Sequence, residues 1–284
     1  MKPAIILLTS CTACFGQYTV SSYVDFEGGT NGTDVNTSAM NSSLHGPAMN
    51  TWGLQNSTHN LQFTNYAQKD LRGNITVTGY GAFGPGGSMG IVSTLNDALD
   101  YLVPAPTAGG TPSMSIGIWF MTDIPTSQSA NIDWFTVSGV SGGYVNAILF
   151  SPGDGSSLRI SPEVSSGSIS GVINLTKGTW YWVTIGYNVG GTNANMIQVY
   201  DSTAALLGSL SNNVALASVP NHAGVGCYNI SGATPTGYHI WMDGFVVNTN
   251  GDFPLLPGNP VTTYSTNLLA GHWSSSGKWK LTTQ

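Results

Sequence analysis

Short runs of β-forming residues recur along the chain, separated by clusters of Gly, Pro, Asn and Ser. Residues 113–121 (SMSIGIWFM) and 179–187 (TWYWVTIGY) are the densest of these runs. Residues 18–26, 74–78 (NITVT), 132–137, 145–150, 222–228 and 238–247 predict further strands. A shorter run, 158–160, follows a Gly-Asp-Gly turn, and 196–200 with 204–210 reads as a hairpin around Asp201 and Ser202. Alternating side chains of this kind give each strand one apolar face. Their recurrence at close spacing predicts an all-β protein, a two-sheet antiparallel jelly-roll sandwich. One segment, 94–102 (TLNDALDYL), has helical spacing, with a cap at Thr94 and apolar positions at Leu95, Leu99 and Leu102. It also reads as a loop followed by an edge strand.

Composition sharpens this picture. Charged residues make up 7 % of the 284-residue chain, against about 25 % in ordinary globular proteins. Long exposed helices are usually dressed in Glu and Lys, so the shortage supports the β reading. With seven Lys+Arg and a net charge of -6, no nucleic-acid partner is expected, because phosphate neutralisation needs clustered basic residues. The hydrophobic share of 41 % suffices for a core, and the composition is not that of a disordered chain.

The two ends read differently from the middle. Lys2, the apolar stretch that starts at 4–8 (AIILL) and small residues up to Gly16 have the form of an export signal, with Gln17 as the mature start. Leu8-Thr9-Ser10-Cys11 also resembles a lipobox, which would put a lipid on Cys11. The expected organisation is a signal peptide at 1–16, one sandwich at 17–252 and a C-terminal extension at 253–284. Pro254, Pro257 and Pro260 open that extension, and Trp273, Lys278, Trp279 and Lys280 give it a docking character. No run approaches the roughly 18 apolar residues of a membrane span. Cys11 and Cys14 fall inside the signal, so Cys227 stands alone in the mature chain and the fold has no internal disulfide.

Three stretches carry a family resemblance. Gly178-Thr179-Trp180-Tyr181-Trp182-Val183-Thr184-Ile185 resembles a strand of the concanavalin A-like lectin/glucanase superfamily, laminin-G-like domains in particular. Ile197-Gln198-Val199-Tyr200-Asp201 with Leu207-Gly208-Ser209 resembles its next hairpin, and His239-Ile240-Trp241-Met242-Asp243-Gly244-Phe245-Val246-Val247 its last strand. Residues 23–28 (YVDFEG) resemble the first strand. The resemblance implies a concanavalin A-like jelly roll. It implies no single function, since such folds host lectins, hydrolases, lyases and adhesion modules.

No catalytic motif emerges. A glycosidase needs two carboxylates, and the superfamily's hydrolases set theirs on one strand as E-x-D-x-E or E-x-D-x-x-E, which is absent. Glu27 and Glu163 are the only glutamates, and Arg72 and Arg159 the only arginines. Gly79-Tyr80-Gly81-Ala82-Phe83-Gly84 matches G-x-G-x-x-G, but Pro85-Gly86-Gly87 cannot start the helix that would hold a pyrophosphate. Gly86-Gly87-Ser88-Met89-Gly90 matches G-x-S-x-G outside any strand–turn–helix pattern. Both matches are expected by chance in a chain with 37 glycines.

Two kinds of site remain. Asp25, Glu27 and Asp243 offer hard oxygen ligands for a structural Ca²⁺ if the first and last strands are neighbours. Asp25 and Glu27 otherwise read as a solvent-facing pair. Trp134, Tyr144, Tyr187 with Asn188, Tyr228 with Asn229, and Tyr238 stand next to turns, where rings can stack on a sugar while amides bond its hydroxyls. Trp119, Trp180 and Trp182 lie inside runs and read as core or sheet-face residues. The expectation is an exported, non-catalytic binding module for a carbohydrate or surface polymer. The alternatives are a structural or adhesion subunit that self-associates through its C-terminal tail, and a polysaccharide hydrolase or lyase.

Overall fold

The computed structural model describes residues 22–24, 26, 29–35, 44–45, 52–55, 61–64, 90–94, 101–104, 113–139, 143–164, 171–189, 194–203, 205–212, 219–232, 236–249, 271–273 and 279–281. These contain no helix. In chain order the strands are β1 (Ser22–Val24), β2 (Leu44–His45), β3 (Trp52–Gln55), β4 (Leu61–Thr64), β5 (Gly90–Thr94) and β6 (Tyr101–Pro104). Then come β7 (Met114–Thr122), β8 (Ser129–Gly139), β9 (Tyr144–Pro152), β10 (Leu158–Val164), β11 (Ile173–Leu175) and β12 (Tyr181–Val189). The last are β13 (Ala194–Asp201), β14 (Leu206–Asn212), β15 (Pro220–Gly232), β16 (His239–Asn248), β17 (Gly271–Trp273) and β18 (Trp279–Leu281).

Two antiparallel sheets form the sandwich. The first has nine strands along the path β14-β13-β12-β7-β16-β1-β2, with β5 on β16 and β4 on β5. The second has seven, in the order β11-β10-β9-β8-β15-β6-β3. The chain builds β8 to β11 in the seven-stranded sheet, crosses to build β12 to β14 in the other, returns for β15 and crosses again for β16, as a jelly roll does. The strong runs became the central strands, and the hairpin at Asp201 is present. The helical reading of 94–102 is overturned at both ends: Thr94 closes β5, and Tyr101 and Leu102 open β6. Residues 95–100, the run at 74–78 and the export signal lie outside the described residues. Within the expected extension, β17 and β18 form a two-stranded sheet with Trp273 opposite Trp279.

Alternation explains the core. Met114, Ile116, Ile118 and Phe120 of β7 meet Tyr181, Val183 and Ile185 of β12 and Ile132, Trp134 and Val137 of β8 in one apolar cluster. The intervening positions of the nine-stranded sheet are buried too, including Trp119, Trp182, Thr184 and Asp243. Trp119 and Trp182 are register partners and meet edge to face at 5.5 Å.

The sheets are joined by aromatic rings. Phe120 stacks on Trp134 at 4.5 Å, Trp134 on Phe135 at 5.1 Å, and Phe135 meets Phe245 edge-on at 6.1 Å. Trp134 and Phe135 are consecutive, yet both are fully buried in the core. A β-bulge allows this: Asp133 pairs with Ile148 and Phe135 with Ala147, so Trp134 is the extra residue.

The far end of β15 shows a tight backbone requirement. Gly232 has φ +91°, and a Cβ there would lie 2.7 Å from the carbonyl oxygen of Ser129. Gly232→Ala is therefore expected to cost about 1–3 kcal/mol, read as a lower urea midpoint with an unchanged denaturant slope.

Candidate polar face of the seven-stranded sheet

The face of the seven-stranded sheet turned away from the core carries the chemistry. Ile132 and Val137 of β8, Val145, Ala147 and Leu149 of β9, and Leu158 and Ile160 of β10 point inward. The alternate positions Asp133, Tyr144, Asn146, Ile148, Ser161 and Glu163 therefore share the outer face. Register fixes their neighbourhood. Asn146 lies between Thr136 on β8 and Glu163 on β10, Ile148 lies between Asp133 and Ser161, and Tyr144 is opposite Ser138, itself opposite His222 of β15. Asp133, Asn146, Ile148 and Ser161 form a buried floor, and Tyr144, Glu163, Thr136 and His222 a half-exposed rim.

The two carboxylates sit two strands apart and two residues out of step, which puts their Cα atoms about 12 Å apart. They act on each other through charge, with Asn146 between them. Burial, and then the charge of Asp133, raise the Glu163 carboxyl above its ordinary value, while a hydrogen bond from Asn146 works the other way. Burial raises the Tyr144 phenol, helped by the charges of Glu163 and then Asp133, so it stays a hydrogen-bond donor. Burial also lowers His222, which favours neutral imidazole. The face thus presents acceptors, donors and the half-exposed Tyr144 ring, with no cation among these groups at neutral pH. Arg159, farther along β10, donates from Nη2 to Ser156 Oγ at 3.0 Å.

A pH consequence follows for stability. The native state holds the Glu163 proton more tightly than the unfolded chain, so this group's contribution is greatest at acid pH. It is lost as pH rises from the unfolded carboxyl value through the raised native one. Glu163→Gln should raise the melting temperature at pH 7, and the gain should vanish below about pH 4. Thermal melts of both proteins across pH test this.

The structure sorts the residues expected from sequence. Tyr144 belongs to this face, and Asn229 is the backbone register partner of Asp133. Trp134 requires a correction: the bulge buries it completely between Phe120 and Phe135, so its ring is core and cannot stack on a ligand. Tyr187 and Tyr238 are half-buried and pack against the core. Tyr238 precedes a latch in which the His239 backbone N–H donates to Asp123 Oδ1 at 2.6 Å and His239 Nδ1 lies 3.0 Å from Asp123 Oδ2. Asn188 and Tyr228 lie on β12 and β15, and their side chains are outside the description.

Asp25 and Glu27 also lie outside the described residues. The first and last strands are neighbours, with Tyr23 opposite Val246 and Val24 opposite Phe245. Asp243 is 2 % exposed, opposite Trp119. Among the described residues no three His, Cys, Asp or Glu side chains are grouped to hold a metal ion. Sequence reasoning missed Asp133 as Glu163's companion. The available signal was strand alternation, which sets Asp133 on the opposite side from Ile132.

No family model matches the chain, and no curated protein sequence does either. Solved structures similar to it include lectin-like and carbohydrate recognition folds. The Emp47p carbohydrate recognition domain is 12 % identical with a TM-score of 0.45, over 81 % of this chain and 95 % of that one. The cellulose induced protein Cip1 is 12 % identical with a TM-score of 0.45, over 80 % and 97 %. The CBM2 module of the Lactobacillus casei BL23 phage J-1 evolved Dit is 9 % identical with a TM-score of 0.42, over 55 % and 75 %.

Proposed function

We propose that this chain is a glycan-binding module and that its binding face is the outer side of the seven-stranded sheet. The observation that carries the proposal is the half-exposed Tyr144 ring on the same face of three adjacent strands as Asp133, Glu163 and Asn146. Ligand sites place a few convergent polar groups around an apolar surface. A pyranose supplies the complement, an apolar ring face and hydroxyls that donate and accept. Carboxylates accept, the amide does both, and a protonated Tyr144 both donates and stacks. Arg159 shares the outer side of β10 but is tied to Ser156, and the carboxylates of Asp133 and Glu163 offset it, so neutral sugars suit the face better than sulfated ones.

Export and the laminin-G-like character belong to the same proposal and are supported by the N-terminal and strand sequences alone. A stiffening Ca²⁺ near the β1–β16 pair, with Asp25, Glu27 and Asp243 as ligands, is a further part of it. Its support is the adjacency of the first and last strands. A glycan array probed with the purified protein, in calcium and again in chelator, tests the set. Binding to a neutral sugar class is expected, with weaker signal in chelator. Absence of binding in both conditions overturns the glycan reading, and equal binding in both overturns the calcium site.

A further inference from the structure

The chain contains seven Asn-x-Ser/Thr triplets. In an exported protein such a triplet is the acceptor for an N-linked glycan, and the fold must supply room for a bulky, hydrated product at the surface. Three of the triplets, at Asn31, Asn174 and Asn229, fall among the described residues, and the fold treats them differently. In Asn31-Gly32-Thr33 the Thr33 hydroxyl is engaged, donating to the Thr30 carbonyl at 2.7 Å in a turn that the Thr33 N–H closes at 3.0 Å. Asn229 lies within β15, paired with Asp133 of β8. Asn174 is the middle residue of β11, Ile173-Asn174-Leu175.

Alternation aims Asn174 outward. Ile173 and Leu175 on either side are buried in the core, and Asn174 between them is exposed. β11 ends the seven-stranded sheet and, among the described residues, pairs with β10 alone. Thr176, the last residue of the triplet, is exposed as well. Its N–H donates to the Tyr181 hydroxyl at 2.7 Å, which fixes the backbone where the chain turns toward β12. The edge also has a use for a sugar. Ile173-Asn174-Leu175 holds no charge and no proline, two of the usual guards of a terminal strand, and Val172 just before it is 49 % exposed. A hydrated glycan on Asn174 covers both.

We propose that Asn174 is an N-glycosylation site. The donor is an oligosaccharide linked through its anomeric carbon to a lipid diphosphate, and a transferase of the export pathway carries out the step. Asn174 Nδ2 forms a bond to the anomeric carbon. The bond from that carbon to the diphosphate oxygen breaks, and the diphosphate leaves with the electron pair. The amide nitrogen gives up one proton to a base of the transferase. Thr176 supplies the hydroxyl that the triplet requires two residues on. The proposal rests on the export reading, because donor and transferase are met only in an exporting compartment.

The test expresses the full chain, with its own N-terminus, in a eukaryotic cell that exports and N-glycosylates proteins. Peptides are mapped by mass spectrometry before and after an amidase that releases N-linked glycans. The peptide holding Asn174 is expected to carry a glycan mass and to show aspartate at that position after release. Thr176→Ala should abolish this glycopeptide while Asn174 itself is intact, and Thr176→Ser should retain it. Position 176 is exposed, and a thermal melt confirms that both variants are folded. A chain that has lost its leader but carries a bare Asn174 overturns this proposal alone. A chain that keeps its leader and carries a bare Asn174 overturns the export reading and this proposal with it. A mass on Asn174 that survives Thr176→Ala is not written by the triplet and overturns the proposal too.

Discussion

Trp134→Ala is expected to lower the unfolding free energy by about 3–5 kcal/mol, the largest single-residue effect foreseen in this chain. The indole is fully buried and stacked on Phe120 from one sheet and Phe135 from the other. Removing it takes away the transfer energy of a large side chain and leaves a cavity between the sheets. It also removes the bridge through which Phe120 and, via Phe135, Phe245 are coupled. Domains of this kind are stable by only about 5–15 kcal/mol, so the variant should lose a large share of its stability. Trp134→Phe should cost clearly less. One ring still fills part of the stack, and the indole N–H, which has no hydrogen-bond partner, is removed. Denaturant midpoints of the three proteins make the comparison. A cost below about 1 kcal/mol for the alanine variant would contradict the placing of the indole in the core.

The second large effect is on binding. Tyr144→Ala should weaken affinity for the sugar class found on the array by about 2 kcal/mol, or roughly 30-fold. The substitution removes the half-exposed ring and the phenol that stands in the field of Glu163 and Asp133. Tyr144→Phe keeps the ring and should lose only a fraction of this. Tyr187→Phe is the control: Tyr187 belongs to β12 in the other sheet and packs against the core, so its hydroxyl should not matter. Titration calorimetry of the wild type and the three variants, each checked for an unchanged melt, gives the answer. Equal losses for Tyr144→Ala and Tyr187→Phe would move the site off this face.

The strands of the central sandwich were legible because their signal is local. Residues 113–121 and 179–187 alternate densely enough that no other element accommodates them, and they became the paired central strands β7 and β12. The strands of the first hundred residues were harder, since β2, β3 and β5 are short and carry Gly or polar residues within or beside weak runs. The segment at 94–102 misleads because its leucines happen to fall at helical spacing, whereas sheet pairing claims both ends.

The site was less legible than the fold for two physical reasons. A bulge is invisible to a period-two reading, so Trp134 looked like a turn-side ring when one extra backbone residue turns it inward. The polar face depends on register between strands far apart in sequence. Asp133 and Glu163 are brought to one surface only because β9 lies between β8 and β10, with Ile148 opposite Asp133 and Asn146 opposite Glu163. Tyr144 could be singled out alone, as an aromatic beside glycines, but its partners could not.

Amide hydrogen exchange of the full chain, free and saturated with the best array glycan, tests the central claim most directly. The account predicts slower exchange in β8, β9 and β10, centred on 133 to 163, with β13 and β14 of the opposite sheet unchanged. Protection confined to the nine-stranded sheet, or absent from β9, would contradict it.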